Sequence, residues 1–257
     1  MAVGGKKRDG APERSNKVYT FDESLQEWTV TVPNMPTERG GPAVISLPSA
    51  LIVAGGYATS GYIDTVEIFK LDTYQWYVTD PLPIACSNMA AYSTSNDTCY
   101  LLGGYRPASC INNVFSASLD DLLRNARAVT VSATSNTDNV CSNRDQDQES
   151  TGSIGSTGSA WKTLPSTPNY QPTVATVLTD TLIAMGGWDT SQGRVAKTEL
   201  YLYSHSTSSW VHVGDLPAPR AVTTATALSP TELLVIGGWD GSERVKTVYR
   251  GTLTITM

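Results

Sequence analysis

The chain has 257 residues, 16% of them charged, and its formal net charge at pH 7 is −6. This length allows one domain with a sizeable core, and an acidic chain without a basic patch is unsuited to binding nucleic acid. No apolar run of about 18 residues occurs and the N-terminus lacks a secretory signal, so we expect neither a membrane span nor export.

Short apolar runs that end in Gly-Gly recur along the chain. The second glycine of each pair lies at Gly5, Gly56, Gly104, Gly187 and Gly238. Apart from one wide gap after Gly104, the spacing is about 50 residues, which indicates one structural unit copied along the chain.

Residues 43–83 show the unit most clearly. An apolar stretch, 43–47, precedes the apolar run 51–54, which has the length of a strand buried on both faces. The segment 64–71 alternates polar and apolar residues, and a fourth strand begins at Trp76. Four strands joined by short turns make a small antiparallel sheet that buries its faces only by stacking on further copies.

The other units keep this layout. A tryptophan precedes the next second glycine by 26 or 28 residues, at Trp28, Trp76, Trp161 and Trp210. An aromatic residue lies before each tryptophan or in the last unit, at Tyr19, Phe69, Phe115, Tyr201 and Tyr249. This pattern resembles the kelch repeat over the whole chain except residues 124–160. The resemblance implies an all-β kelch β-propeller with units at about 1–40, 41–86, 87–169, 170–219 and 220–257.

Counting strands gives 18, because the first unit lacks its first strand and the fifth lacks its last. The predicted architecture is therefore an arc of about five four-stranded blades with incomplete end blades. An unpaired edge invites aggregation, so we interpret the chain as N-terminally truncated and part of a six-bladed ring. The alternative is an open or compressed arc of five units.

Residues 125–160 form an insertion between the third and fourth strands of the third unit. Of these 36 residues, 24 are Ser, Thr, Gly, Asn, Asp or Gln, so the segment has little apolar surface to offset its ordering entropy. We predict a disordered loop here, preceded by one helical turn at 120–125.

The sequence offers little catalytic chemistry. His205 and His212 are the only histidines, and the four cysteines show no metal-ligand spacing. We therefore predict no catalytic residue, no metal site and no cofactor. The cysteines also show no paired spacing, which favours free thiols over a disulfide. Free thiols are typical of a reducing compartment, so we predict that the protein is cytoplasmic.

The resemblance implies a binding surface where two sets of loops line one face of the propeller. These loops offer Tyr, Trp and Arg, the types that dominate interface energetics. We predict a non-enzymatic module that binds a partner peptide or domain, and its arginines favour an acidic one. The position of Arg39 and Arg220 after Pro-rich turns resembles that from which kelch adaptors of ubiquitin ligases contact substrates. The alternative is a propeller enzyme acting on a sugar or small metabolite. The predicted partner-binding residues are Arg39, Tyr57, Asn88, Tyr105, Arg106, Tyr170, Trp188, Arg194, Arg220, Trp239 and Arg244, with Lys7, Arg8, Tyr62 and Gln171 on the same loops.

Overall fold

The strands of a computed structural model form five small antiparallel sheets in chain order, which we number blades 1 to 5. The structure describes residues 1–5, 14–30, 32–106, 109–129, 158–170, 172, 174–178, 180–190 and 193–253. Blade 1 contains β1 (Ala2–Val3), β2 (Val18–Asp22) and β3 (Glu27–Thr29). Blade 2 contains β4 (Ala43–Ser46), β5 (Ala50–Ala54), the hairpin β6 (Tyr57–Ala58) and β7 (Gly61–Tyr62), β8 (Val66–Lys70) and β9 (Gln75–Thr79).

The remaining blades follow the same plan. Blade 3 contains β10 (Ala90–Ser93), β11 (Thr98–Arg106), β12 (Ser109–Ser118) and β14 (Lys162–Leu164). Between β12 and β14 the chain forms helix α1 (Leu119–Arg124) and strand β13 (Arg127–Val129), which joins the sheet of blade 2. Blade 4 contains β15 (Val174–Leu178), β16 (Thr181–Met185), the hairpin β17 (Trp188–Asp189) and β18 (Val195–Ala196), β19 (Glu199–Ser204) and β20 (Ser209–Asp215). Blade 5 contains β21 (Thr224–Ser229), β22 (Glu232–Ile236) and β23 (Val248–Thr252).

The main sheet of each blade pairs its strands in sequence order, and the hairpins β6–β7 and β17–β18 form separate two-stranded sheets. The first strands of blades 2 to 5, which are β4, β10, β15 and β21, contact one another in succession and so lie at the centre of the arc. All 18 strands predicted from the sequence are present among the described residues. The structure adds the two short hairpins and β13, which pairs with β9 as a fifth strand of blade 2.

The core consists of layers between neighbouring blades. In β5, Leu51 and Val53 pack toward blade 1, whereas Ile52 packs toward blade 3. All five residues of β5 are therefore buried, which confirms the prediction of a strand covered on both faces.

The tryptophans tie each blade to the one before it. The indole Nε1 of Trp76 donates to the carbonyl of Pro33 at 2.8 Å, and Trp210 donates to Pro165 at 2.9 Å. Trp161 makes the same contact with the Asp80 carbonyl at 3.2 Å. A buried indole needs such an acceptor, so its position fixes the stacking of consecutive blades.

The outer faces of the two end blades are exposed. Trp28 and Phe21 of blade 1 are 55% and 43% exposed, whereas the equivalent Trp76 and Phe69 of blade 2 are at most 1% exposed. On blade 5, Val248 is 54% exposed. The described chain is thus an arc whose two end faces carry the residue types that the inner blades bury.

The Gly-Gly pairs lie where strands leave a crowded site, as predicted. Gly55 has φ +61°, and a Cβ on it would lie 2.5 Å from the Cys86 carbonyl oxygen. The next amide, of Gly56, donates to that same oxygen at 2.8 Å. Only glycine combines this conformation with this close approach.

A short helix precedes the insertion, and a short strand lies near its start. Residues 119–124 form α1, as the predicted helical turn required, and the Ser118 hydroxyl caps it by accepting from the Asp121 amide at 3.1 Å. Residues 127–129, which the sequence placed in the disordered loop, form β13 instead, because the exposed edge of β9 offers backbone partners. The rest of that prediction, 130–157, falls outside the described residues.

Both stems of the insertion meet one carboxylate. Asp80 Oδ2 accepts from the Asn125 side-chain amide at 3.1 Å and from the Ala160 backbone amide at 3.0 Å. The first and the last residue of the insertion are therefore held at a single point. No helix among the described residues is long and apolar enough to cross a membrane.

Candidate functional site

One rim of the arc is built from two sets of loops, which we call the loop face. It comprises the loops that follow each Gly-Gly pair and the linkers that enter the next blade. Isolated backbone bridges join the two sets at Gly40–Tyr57, Ser87–Tyr105, Tyr170–Trp188 and Ala221–Trp239. These bridges place an aromatic residue at the same point of blades 2, 3, 4 and 5.

The residue after three of the four bridged linker positions adopts the left-handed conformation. Gly41, Asn88 and Val222 have φ of 58°, 54° and 50°. Glycine and asparagine tolerate this region, but a β-branched valine rarely adopts it. Val222 is therefore a strained residue, and its side chain is 64% exposed on the loop face.

A central cavity of about 490 Å³ opens between the blades on the loop face. Four predicted binding residues line it, namely Asn88, Tyr105, Trp188 and Arg194. The other lining residues are Pro42, Met89, Ala90, Pro172, Val222 and Thr223. None of these ten residues is acidic, and Arg194 is their one charged member.

A second cavity of about 410 Å³ lies beside the first. It is lined by the predicted residues Trp188, Trp239 and Arg244, together with Val222, Gly238 and Val245. Trp188 and Val222 line both cavities, so the two form neighbouring parts of one surface. Trp188 is only 9% exposed, which shows that this indole mainly packs between blades and presents one edge.

A row of aromatic and cationic side chains crosses the loop face from blade 1 to blade 4. The rings of Tyr57 and Tyr62 lie 4.9 Å apart, and those of Tyr62 and Tyr105 lie 6.0 Å apart. The Arg14 guanidinium lies 4.9 Å from the Tyr57 ring centre, and Arg194 lies 5.3 Å from that of Tyr105. We call these five residues the tyrosine row.

Two side chains of the tyrosine row, Tyr62 and Arg194, have raised pKa values. Burial raises the pKa of Tyr62, and the neighbouring phenols of Tyr105 and Tyr57 add to the shift. The hydrogen bond between Arg194 and Tyr105 raises the pKa of the Arg194 guanidinium. The row therefore places three phenols between two guanidinium groups.

Arg39 does not belong to the binding surface, and its prediction was wrong. Its side chain is fully buried, where Nη2 lies 2.9 Å from Glu67 Oε1. Nη1 donates to the carbonyls of Gly55 and Thr65, both at 2.9 Å. Burial lowers the pKa of Arg39 and raises that of Glu67, while the attraction between the two opposes both shifts.

Arg220 was also wrongly predicted as a surface residue. It is 3% exposed, its Nη2 donates to the Tyr249 hydroxyl at 2.7 Å, and its guanidinium lies 4.8 Å from the Tyr249 ring centre. Like Arg39, it follows a Pro-rich turn and reaches inward to the next blade. An exposed arginine at either position would leave a backbone carbonyl or a phenol without its partner.

The sheet register also corrects the set of middle aromatics. Glu67 pairs with Val53, two residues before Gly55, and Tyr249 pairs with Val235, two residues before Gly237. Glu67 and Tyr249 are therefore equivalent, and Phe69 lies two residues beyond the position assigned to it. Arg39, which follows blade 1, and Arg220, which follows blade 4, therefore face the same position of the repeat. That position is the carboxylate of Glu67 in blade 2 and the phenol of Tyr249 in blade 5.

The remaining predicted residues are distributed around these features. Arg106 is exposed beside Tyr105, and Tyr170 is 36% exposed at its bridge to Trp188. Lys7, Arg8 and Gln171 lie outside the described residues. The sequence reasoning missed Arg14, Pro42, Pro172 and Val222. The two prolines and Val222 follow bridged linker positions, so the repeat alignment was the signal that could have identified them.

The described residues contain no cluster of three or more His, Cys, Asp or Glu side chains suited to a metal ion. Both histidines lie in or beside the β19–β20 hairpin of blade 4. His205 is exposed next to the Tyr203 ring, and His212 Nε2 lies 3.4 Å from an Asp215 carboxylate oxygen. Neither histidine lines the cavities of the loop face.

Comparison with known proteins agrees with this architecture. The family model described as Kelch motif matches residues 38–83, which span the last linker residues of blade 1 and all of blade 2. Residues 38–83 therefore carry a kelch motif. The chain is 26% identical over 219 residues to a Xenopus laevis protein named Rab9 effector protein with kelch motifs. The alignment covers 73% of this chain and 59% of that protein, so the chain spans about three fifths of its relative's length.

A solved structure titled "Structure of YjhT" superposes on the chain with a TM-score of 0.67. The sequences are 15% identical, and the superposition covers 96% of this chain and 76% of the other. At this identity the likeness concerns the fold. It confirms the all-β kelch propeller architecture that the repeats predicted.

Proposed function

We propose that the chain is a non-enzymatic interaction module whose central cavity binds an acidic peptide segment of a partner protein. The observation that carries this proposal is the cavity lining. Tyr105 and Trp188 offer aromatic surface, Asn88 offers an amide, and Arg194 supplies a positive charge without a competing carboxylate among the ten lining residues. Such a mixture of an apolar surface and a few polar groups is typical of recognition sites.

The charge distribution supports an acidic ligand. The whole chain has a net charge of −6, yet the described arginines Arg106, Arg194 and Arg244 are exposed on the loop face. A local positive potential on an acidic protein steers negatively charged partners toward that surface. The proposal therefore assigns the arginines to attraction and orientation, and the aromatic residues to contact area.

The same lining favours binding over catalysis. A hydrolase acting on a sugar would require converging carboxylic acids or histidines near its substrate. The residues around the 490 Å³ cavity offer an arginine, a phenol, an indole and an amide instead. These groups suit hydrogen bonding and stacking.

The relative named Rab9 effector protein with kelch motifs supports the class of function. An effector acts through another protein, and we extend this general role to the present chain. The comparison with ubiquitin-ligase adaptors rested on Arg39 and Arg220, and their burial removes that basis. The free thiols of Cys86 and Cys99 support the proposed cytoplasmic setting.

A peptide array tests the proposed function. The purified chain is applied to an array of peptides that vary in Asp and Glu content, and the strongest binder is measured by fluorescence anisotropy. We expect acidic peptides to be enriched. The double substitution Tyr105→Ala and Arg194→Ala should weaken binding at least tenfold, and added salt should weaken it further.

A matched control separates binding from folding. Tyr74 and Arg124 are exposed on the opposite rim, where the third and fourth strands of the blades are joined. Tyr74→Ala with Arg124→Ala should leave affinity unchanged. Equal affinity of the wild type and the Tyr105/Arg194 variant, or no preference for acidic peptides, would contradict the proposal.

A further inference from the structure

The tyrosine row, defined above as Arg14, Tyr57, Tyr62, Tyr105 and Arg194, identifies a class of peptide. We propose that the tyrosine row binds a proline-rich segment of a partner protein in the polyproline II conformation, with carboxylates at both ends of the segment. This inference rests on the proposed function, since the row borders the central cavity through Tyr105 and Arg194.

The row is held in place by backbone structure. Tyr57 and Tyr62 face each other across the hairpin β6–β7, and Tyr57 also bridges to Gly40 of the preceding linker. Tyr105 bridges to Ser87 in the same way. Rings fixed before binding lose little conformational entropy when a ligand arrives, and this favours a rigid ligand surface.

One ring spacing of the row is that of a polyproline II helix. Such a helix rises about 3.1 Å per residue, so alternate residues lie about 6 Å apart. The rings of Tyr62 and Tyr105 are separated by 6.0 Å, and those of Tyr57 and Tyr62 are closer, at 4.9 Å. Aromatic-lined grooves of this kind recognise proline-rich segments, whose conformation is largely set before binding.

Hydrogen bonding points to the same ligand. A polyproline II segment has no internal hydrogen bonds and presents its carbonyls to the surroundings. Burial and neighbouring phenols raise the pKa of Tyr62, so its hydroxyl keeps its proton and donates. Proline itself has no amide hydrogen, so a row of hydroxyl donors suits it.

The ends of the row determine the charges of the ligand. Arg14 Nε donates to the Tyr57 carbonyl at 3.2 Å, while its Nη1 is buried with no hydrogen-bond partner among the described residues. Arg194 is exposed at the other end. The β6–β7 hairpin between them, residues 57–62, contains no acidic residue. Carboxylates that flank the prolines would therefore meet a guanidinium at each end.

Two labelled synthetic peptides test the inference by fluorescence anisotropy with the purified chain. The first has six prolines flanked on each side by two aspartates. The second keeps the aspartates and replaces the prolines by alternating alanine and glycine. We expect the proline peptide to bind at least tenfold more tightly, because its conformation and ring contacts are lost in the second peptide.

Substitutions in the chain test whether Tyr62 contacts the proline peptide. Tyr62→Ala should weaken binding of the proline peptide at least tenfold and leave the alanine–glycine peptide nearly unchanged. Tyr62→Phe should weaken binding of the proline peptide by a smaller factor, because the ring stays and only the hydroxyl donor is lost. Tyr74→Ala, an exposed tyrosine of the same blade on the opposite rim, should have no effect. Urea unfolding verifies that Tyr62→Ala is folded, and Tyr62→Phe serves as the test if it is not.

The outcomes separate this inference from the proposed function. Equal binding of both peptides, or an unchanged affinity in the Tyr62 variants, overturns the proline-rich ligand and leaves the acidic-peptide site standing. The same holds if neither peptide binds while acidic array peptides do. Failure of the array experiment as well overturns both.

Discussion

Arg39 and Glu67 form a fully buried ion pair, 2.9 Å long, between the linker that leaves blade 1 and the third strand of blade 2. At the equivalent place between blades 4 and 5, Arg220 donates to Tyr249. One position of the repeat thus supports two kinds of partner for an inward-facing arginine. In both places an arginine Nη2 lies against an oxygen of the next blade, while the arginine Nε is buried without a hydrogen-bond partner among the described residues. Both contacts position one blade on the next.

Substitution of Glu67 tests this equivalence. Glu67→Ala leaves the buried Arg39 charge uncompensated, so we expect a loss of about 3–5 kcal/mol in the free energy of unfolding. Glu67→Tyr should lose less, because it recreates the pairing seen between Arg220 and Tyr249. Urea denaturation measures both. A Tyr variant no more stable than the Ala variant would show that the two positions are not interchangeable.

The tryptophans should differ in their contribution to stability according to their burial. Trp76 is 1% exposed and donates to Pro33, so Trp76→Ala should cost about 3–5 kcal/mol. Trp28 is 55% exposed and contacts the Phe21 ring at 5.4 Å, so Trp28→Ala should cost about 1 kcal/mol. Denaturation curves of the two variants give the comparison. Similar costs would mean that the outer face of blade 1 is covered in solution.

Val222→Asn should stabilise the protein. The valine has φ +50°, where asparagine is tolerated, and the equivalent residue of blade 3 is Asn88 at φ 54°. Relief of this strain should raise the free energy of unfolding by about 1 kcal/mol. The same change at Val211, which is 47% exposed within β20, serves as the control and should destabilise because asparagine is a poor strand residue. A loss of stability in both variants would contradict the strain argument.

Alkaline pH should weaken the fold. Burial raises the pKa of the Cys86 and Cys99 thiols from 9.0 to about 12. In this range the folded state holds protons that the unfolded state releases, so the stabilisation present below pH 9 is lost as the pH rises from about 9 toward 12. Unfolding free energies measured at pH 7 to 10.5 should fall.

A variant with both thiols replaced by serine should show a shallower decrease over the same pH range, whatever its stability at pH 7. The two thiols should also resist iodoacetamide in the folded state at pH 8, because little thiolate is present. Rapid alkylation of either cysteine in the folded chain would contradict their burial.

The repeat made most of the fold predictable, and particular residues show where prediction stopped. Gly-Gly pairs and tryptophans are local signals, so the strands around Gly55 and Trp76 followed from spacing alone. The burial of Arg39 depends on Glu67, which is 28 residues away, and no local pattern joins the two. β13 was missed because three residues carry too little periodicity to be separated from the polar segment that follows.

The candidate site was predicted in part for a related reason. Position within the repeat identified Asn88, Tyr105, Trp188 and Arg194, which the structure brings together around one cavity. Their contacts across blades were not predictable, since the tyrosine row joins loops of different units. Arg14 could only be recognised once its guanidinium was seen above Tyr57.

The contacts of Asp80 have a practical consequence. Because one carboxylate holds Asn125 and Ala160, the two stems of the insertion are already brought together by the blades. Lengthening or replacing the chain between them adds only a slowly growing loop-closure entropy, about 0.6 kcal/mol for each doubling of length. The chain between Asn125 and Ala160 is therefore a suitable insertion site for a tag or a whole domain, on the rim opposite the loop face.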